Sequence, residues 1–374
     1  MNFVRFVKTP RVSSKLTKKS NAKPNSNKTS AQQLSLLLTI TTDFSPFAGE
    51  TYLLCELLSS NGSALAAQEI QWQGHERDIK VEFSVQQSPL SNHKIVITPR
   101  TGSASTDFLA QFLGGTVSHV VGVETDWFST TTSTRHDTVS RRFNSPTGPI
   151  IIAEQAGETI IRHVWDAGII LSAVISYRHL PSLPPGLTAL LKYLQSPDQS
   201  LKVLELGTGV GVLGICAALA FPDATVVMTD LPDAQVLVDK NIHLNASPKN
   251  KLTQHASFRV LDWETQPYPE WTSVERFDLI VMADVTYNTA TFVALANLLE
   301  HLLKTGSRGA KVICCGKRRH DEEKQFWKIV GERGFAIDQR EIFSMDLEGG
   351  FESCEDGHES HRLQLIDFIC MRLA

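Results

Sequence analysis

The chain has 374 residues, enough for one large core and a second, smaller one. Its formal net charge is −4, so no global positive field favours nucleic acid. The longest apolar runs, such as Leu34 to Ile40, are far too short to span a bilayer.

From Met1 to Ser30 the chain carries eight basic residues, Arg5, Lys8, Arg11, Lys15, Lys18, Lys19, Lys23 and Lys28, and no acid. Ser, Asn and Lys dominate from Ser13 onward, and such a composition cannot bury enough apolar surface to order itself. The expectation is a disordered basic tail over residues 1–33. It serves as a solvated tail, as a mitochondrial presequence, or as an arm for the nucleus, the ribosome or a nucleic acid. Without a secretory apolar core the protein is expected to be intracellular, in the cytoplasm or nucleus, or in mitochondria under the presequence reading.

Residues 34–126 read as a small β-rich region. Leu34, Leu36, Leu38 and Ile40 alternate in part with polar or small residues. Ile79, Val81, Phe83 and Val85 alternate cleanly with Lys80, Glu82 and Ser84, the mark of a half-buried strand, and Ile95-Val96-Ile97 is a further candidate. Residues 127–146, rich in Ser, Thr and Arg, read as a linker ahead of a larger domain over 147–374. Six cysteines, Cys55, Cys216, Cys314, Cys315, Cys354 and Cys370, lack C-x-x-C spacing. Buried free thiols are expected, with Cys354 accessible in an acidic loop, and no metal site.

The chemistry concentrates in the larger domain. The run Val203-Leu204-Glu205-Leu206-Gly207-Thr208-Gly209-Val210-Gly211 is an apolar strand entering three alternate glycines, followed by an apolar helix from Val212 to Ala220. Bare backbone in that turn admits close approach to a ligand or unusual φ values. A dinucleotide fingerprint places glycines at the first, third and sixth positions, and here the sixth is Val212, which disfavours a dehydrogenase. Glu205 before the turn disfavours a pyrophosphate and suits a cationic or amino-bearing ligand.

Next, Thr225 to Asp230 is a short strand ending in a carboxylate, placed to take ribose hydroxyls or to cap the following turn. Leu261-Asp262-Trp263 offers an acid and an indole to an adenine, or simply a buried Trp. The run Leu279 to Ala283 reads as a strand buried on both faces, ending in Asp284-Val285-Thr286-Tyr287 at the mouth of the same crevice. Ala310 to Cys315 follows as another strand. Asp321 to Arg333 is an amphipathic helix. Phe335-Ala336-Ile337 and Gln364 to Ile369 form a closing antiparallel hairpin around an acidic loop, which is simply solvated or steers a lysine-bearing protein.

With Trp165-Asp166-Ala167 before a helix, Glu205 to Gly211, Leu261-Asp262-Trp263 and Asp284 to Tyr287 in that order, the chain resembles methyltransferase family 16. These are protein-lysine methyltransferases of the seven-β-strand group, and the resemblance covers Pro149 to the C-terminus. It implies an α/β, Rossmann-like seven-stranded sheet with an antiparallel C-terminal hairpin, and S-adenosylmethionine as cofactor. It also implies that Trp165, Glu205, Gly207, Thr208, Gly209, Asp230, Asp262, Trp263 and Ala283 bind that cofactor. Asp284 and Tyr287 would face the methyl group and the lysine of a protein substrate. Alternatives within the fold are transfer to histidine, a small molecule or a nucleic acid. A cofactor-binding scaffold without activity is the alternative from another class.

Overall fold

A computed structural model describes residues 2–14, 31–41, 49–86, 92–100, 120–129, 138–156, 162–178, 200–346, 351–353 and 363–373. The chain divides into two compact units. The first comprises Met1–Ala104, Ser118–Arg142 and Ala153–Ile160, and the second Ser105–Val117, Phe143–Ile152 and Ile161–Ala374.

Strands dominate the first part of the chain. They are β1 (Asn2–Ser14), β2 (Ala31–Thr41), β3 (Thr51–Ser59), β4 (Ala64–Trp72), β5 (Ile79–Gln86), β6 (Asn92–Pro99), β7 (Val120–Val121), β8 (Val123–Thr125), β9 (Phe128–Ser129), β10 (Thr138–Ser145) and β11 (Gly148–Gln155). One sheet runs β5-β2-β1-β7, and another runs β11-β10-β8-β6-β3-β4 with β9 paired to β6. Alternation explains the shared core of the first unit, because successive side chains point to opposite faces. Leu34, Leu36, Leu38 and Ile40 of β2, Val81 and Phe83 of β5, and Ile95 and Ile97 of β6 all enter it.

Two expectations fail here. Residues 2–14, assigned to a disordered tail, form β1, antiparallel to β2. Phe3, Val4 and Phe6 are buried, and Arg5 donates to Thr41 Oγ1. Composition averaged over thirty residues hid this short apolar start. The remainder of the basic segment, residues 15–30, lies outside the described residues. The predicted linker at 127–146 contains β9 and β10. Its arginines misled the composition argument: Arg141 is fully buried, ion-paired with Glu154 and donating to the Val4 carbonyl. A buried cation needs such a partner. Residues 130–137 lie outside the described residues.

The second unit carries an open α/β sheet. Its strands are β12 (Lys202–Leu206), β13 (Thr225–Asp230), β14 (Ala256–Val260), β15 (Leu279–Ala283), β16 (Lys311–Lys317), β17 (Phe335–Asp346), β18 (Phe351–Ser353) and β19 (Leu363–Leu373). The order is β14-β13-β12-β15-β16-β19-β17-β18. The first five are parallel, and β19, β17 and β18 pair antiparallel. The expected closing hairpin is therefore present, and short β18 makes eight strands among the described residues instead of seven. The order reverses between β12 and β15, the switch point where open α/β sheets bind ligands beyond the carboxyl ends of their strands.

Helices in this unit are α1 (Asp166–Ser176), α2 (Val212–Ala220), α3 (Gln235–Asn245), α4 (Leu252–His255), α5 (Trp271–Val274), α6 (Phe292–Lys304) and α7 (Lys324–Glu332). In α6, Phe292, Leu295, Ala296, Leu299, Leu302 and Leu303 recur at helical spacing and face the core with Leu298. The described cysteines, Cys55, Cys216, Cys314, Cys315 and Cys370, are free and buried, and burial pushes the Cys216 thiol up to about 12. Cys354 and most of the acidic loop lie outside the described residues. No helix among the described residues is long and apolar enough to cross a membrane.

Candidate active site

The glycine turn follows β12 as the apolar-strand reading requires. Gly207, Gly209 and Gly211 have φ of +71°, +56° and +85°, a region that side chains other than glycine rarely adopt. Gly207 is also sterically closed, since a Cβ there would lie 2.7 Å from Val285 Cγ1 and 3.2 Å from the Trp263 ring. The turn is tied to the neighbouring strand, because the Gly207 and Thr208 amides both donate to the Thr229 carbonyl at 2.9 Å.

Glu205 is 2% exposed beneath this turn. It accepts the Thr208 hydroxyl at 2.6 Å, and Thr229 Oγ1 donates to its carbonyl at 2.6 Å. Burial pushes its carboxyl up to about 8, against the hydrogen bonds from Thr208 and the Gly214 backbone. Glu205 thus braces the loop mainly as a neutral acid at neutral pH, and its charge does not reach the surface as the sequence reading expects. The linkage sign follows. Between pH about 4.5 and about 8 the folded state keeps a proton that the unfolded state has lost, so stability falls as pH rises through that window. Glu205→Gln should remove this slope, which for one proton is at most about 1.4 kcal/mol per pH unit. Melting temperatures of parent and variant across the window should diverge towards alkaline pH in favour of the variant.

Asp230, the last residue of β13, accepts the Gly209 amide and the Leu231 amide, each at 2.8 Å. Burial raises its carboxyl above the usual range. Asp230 therefore holds the glycine loop as well as standing at the strand tip. Asp262 accepts from the Glu264 amide at 2.9 Å and the Thr265 hydroxyl at 2.7 Å, and these bonds lower its carboxyl. Its carboxylate is spent on capping its own turn. Trp263 is half-buried against Gly207 and the core, and its buried Nε1 has no hydrogen-bond partner among the described residues. Ala283 ends β15, half-buried and in register with Cys315.

Asp284 follows with φ of +54°, an uncommon conformation for a residue with a side chain, although Asp tolerates it. Its amide donates to the Cys315 carbonyl at 2.9 Å. Its carboxylate accepts the Ala167 amide on one oxygen, and the Lys317 amide with the Arg319 guanidinium on the other. The Arg319–Asp284 separation is 2.9 Å, with side chains 12% and 6% exposed. Three residues on, Tyr287 is 56% exposed. Burial raises its hydroxyl, and the nearby Asp230 carboxylate raises it further. Trp165 stands immediately before α1 in an extended conformation, half-buried, with the Arg319 guanidinium 5.9 Å from its ring centroid.

The sequence reading missed the basic run that pairs with Asp284 and its neighbours. Lys317, Arg318 and Arg319, at and beyond the end of β16, bind three separate acids: Asp166 at 2.9 Å, Asp367 and Asp284. Three consecutive cations at the tip of an apolar strand were the available signal.

A family model described as lysine methyltransferase matches residues 144–333, just over half of the chain. Among curated relatives, a UPF0665 family protein of Schizosaccharomyces pombe is 33% identical over 52% of this chain and 54% of its own length. EEF1A lysine methyltransferase 3 of Mus musculus is 34% identical over 40% of this chain and 61% of its own length. Protein N-lysine methyltransferase METTL21A of Danio rerio is 33% identical over 46% and 66%. The match thus spans less than two thirds of each of these relatives. A solved putative transferase of Pyrococcus horikoshii aligns at 14% identity over 64% of this chain and 74% of its own, with TM-score 0.38. Matched over more than half of its length, the chain belongs to the lysine methyltransferase family.

Proposed function

We propose that the second unit is an S-adenosylmethionine-dependent N-methyltransferase acting on a lysine side chain of a protein. One observation carries the reading. The glycine turn, Asp230 and the Asp284–Tyr287 segment meet at the carboxyl ends of adjacent parallel strands, with Val285 and Trp263 against Gly207. The names of two relatives suggest protein lysine as the acceptor.

The residues fit the cofactor. A bare, positive-φ backbone at Gly207 and Gly209 suits the methionine part, Asp230 the ribose, and Trp263, with its unused indole N–H, the adenine. Trp165, Glu205, Thr208, Asp262 and Ala283 complete the set, with Glu205 and Asp262 acting through the turns they hold. Bound there, S-adenosylmethionine supplies an electrophilic methyl group on sulfur.

The protein then has to present a neutral amine in line with that methyl, about 3 Å away. Free lysine has a pKa near 10.4, roughly, so a partly dry site raises the neutral fraction by penalising the ammonium. Tyr287's oxygen accepts one amine N–H, which leaves the nitrogen lone pair free to attack. Asp284 anchors the turn that carries Tyr287. No protein base is required, because the proton leaves to water before transfer.

The deciding experiment is incubation with methyl-labelled cofactor and cell lysate, followed by acid hydrolysis and amino-acid analysis of the labelled protein. Methyl-lysine is expected. Methyl-histidine, or label confined to small molecules or nucleic acid, would replace lysine by that acceptor. Cofactor binding without any label would favour a scaffold.

A further inference from the structure

We infer that Asn241 and Asn245, an N-x-x-x-N pair on α3, position the glycine turn for the cofactor: Asn241 holds the Val210 carbonyl, and Asn245 fixes the helix that carries it. This rests on the reading of that turn as the S-adenosylmethionine site. All the residues involved belong to the second unit.

Four residues apart, the two asparagines lie on one face of an 11-residue helix. Asparagine is a poor helix former, and inside a helix its side chain competes for backbone groups. Here both side chains reach across tertiary contacts. Asn241 is completely buried, and its Nδ2 donates to the Val210 carbonyl at 2.8 Å, 31 positions back. Val210 is also buried, so its carbonyl needs a donor from within the protein. The peptide held in this way leads into Gly211, whose φ is +85° and whose amide donates to the Thr208 carbonyl at 2.9 Å. Val238, one turn earlier on α3, closes against the same glycine: a Cβ on Gly211 would lie 3.3 Å from its Cγ1. The start of the turn is held from β13, by the Thr229 carbonyl and the Asp230 carboxylate. Its end rests on α3.

Asn245 holds α3 in turn. β11 is an edge strand of its sheet. Asn245 Oδ1 accepts the Ile151 amide at 2.8 Å, and its Nδ2 donates to the Ile151 carbonyl at 2.7 Å, the exchange a facing strand residue would make. The same Nδ2 donates to the Asn241 carbonyl at 2.7 Å. A continuous path of hydrogen bonds therefore runs from Ile151 through α3 to the glycine turn. Both asparagines act on the cofactor through that turn, as positioning residues.

S-adenosylmethionine binding is measured by calorimetry, and amide exchange of the cofactor-free protein by NMR. The proteins are the parent, Asn241→Ala, Asn245→Ala, the double variant and Val330→Ala. Val330, buried on α7 in the core of the second unit, controls for lost stability. Asn241→Ala should weaken binding about tenfold and speed exchange of the Gly211 amide by a similar factor, the worth of one buried hydrogen bond. Asn245→Ala should weaken binding about threefold, and the double variant no more than Asn241→Ala alone, because the second effect passes through the first. Val330→Ala should lower the melting temperature with affinity changed less than about twofold. Unchanged affinity in both single asparagine variants overturns the inference and leaves the cofactor site standing. Effects that multiply in the double variant, or an equal loss of affinity in Val330→Ala, do the same. If Asn241→Ala does not fold, Asn245→Ala decides alone: parental affinity overturns the inference, and weakened binding with faster Gly211 exchange supports it. A parent that binds no S-adenosylmethionine overturns the cofactor site itself, and this inference with it.

Discussion

Asp284→Asn is expected to lower methyl transfer by at least about a hundredfold, the scale of a misplaced reacting group, while cofactor affinity changes only a few-fold. The substitution keeps the size of the side chain and removes its charge. Arg319 then loses its counter-ion in a nearly buried site, and the anchor between the start of α1, the end of β16 and the turn carrying Tyr287 is weakened. Removing one partner of a buried pair costs about 3 kcal/mol, so a fall in melting temperature should accompany the loss of rate. Tyr287→Phe deletes one half-exposed hydroxyl and should cost a smaller factor, about tenfold, without destabilising the fold. Single-turnover labelling of the protein identified in lysate, with calorimetry of cofactor binding, separates the two effects. If both variants transfer methyl groups as fast as the parent, the D-x-x-Y segment does not form the acceptor site.

Asp230→Ala should weaken S-adenosylmethionine binding between about tenfold and a hundredfold. A hydrogen bond to a charged group contributes about 1.5–3 kcal/mol, and each 1.4 kcal/mol or so is a factor of ten. Two losses add here. The strand tip no longer offers oxygens to the ribose, and the Gly209 amide loses the acceptor that shapes the loop. Calorimetry reads the affinity and thermal unfolding reads the fold. A drop in melting temperature with unchanged affinity would reduce Asp230 to a cap on the glycine turn.

Several elements were legible because their causes are local. The glycine turn follows from side-chain-free positions after an apolar strand, and its positive φ values are the conformations that glycine alone adopts cheaply. The parallel strands announce themselves as short apolar runs ending in Asp230 and Asp284, and α7 by helical spacing. Composition misled where averages were taken over segments of mixed character. The Phe3-Val4-Phe6 start of β1 was diluted by the lysines after it, and Arg141 fell within the expected linker although its partner Glu154 lies thirteen positions on.

The sequence by itself determined which backbone turn can cradle a ligand and which carboxylates stand at strand ends, because both depend on residues within one strand–turn–helix unit. Only the tertiary structure decided the charge state of the site. Lys317 meets Asp166 across 151 positions and Arg319 meets Asp284 across 35, pairings set by β16 lying beside β15 and by α1 placing its first turn at their ends. Likewise Glu205 reads as an available carboxylate in one dimension and becomes a buried, largely neutral brace once Thr208 and Gly214 close over it. Strand order determines which charges become neighbours, and burial determines what each pairing is worth, so neither can be read from spacing along the chain.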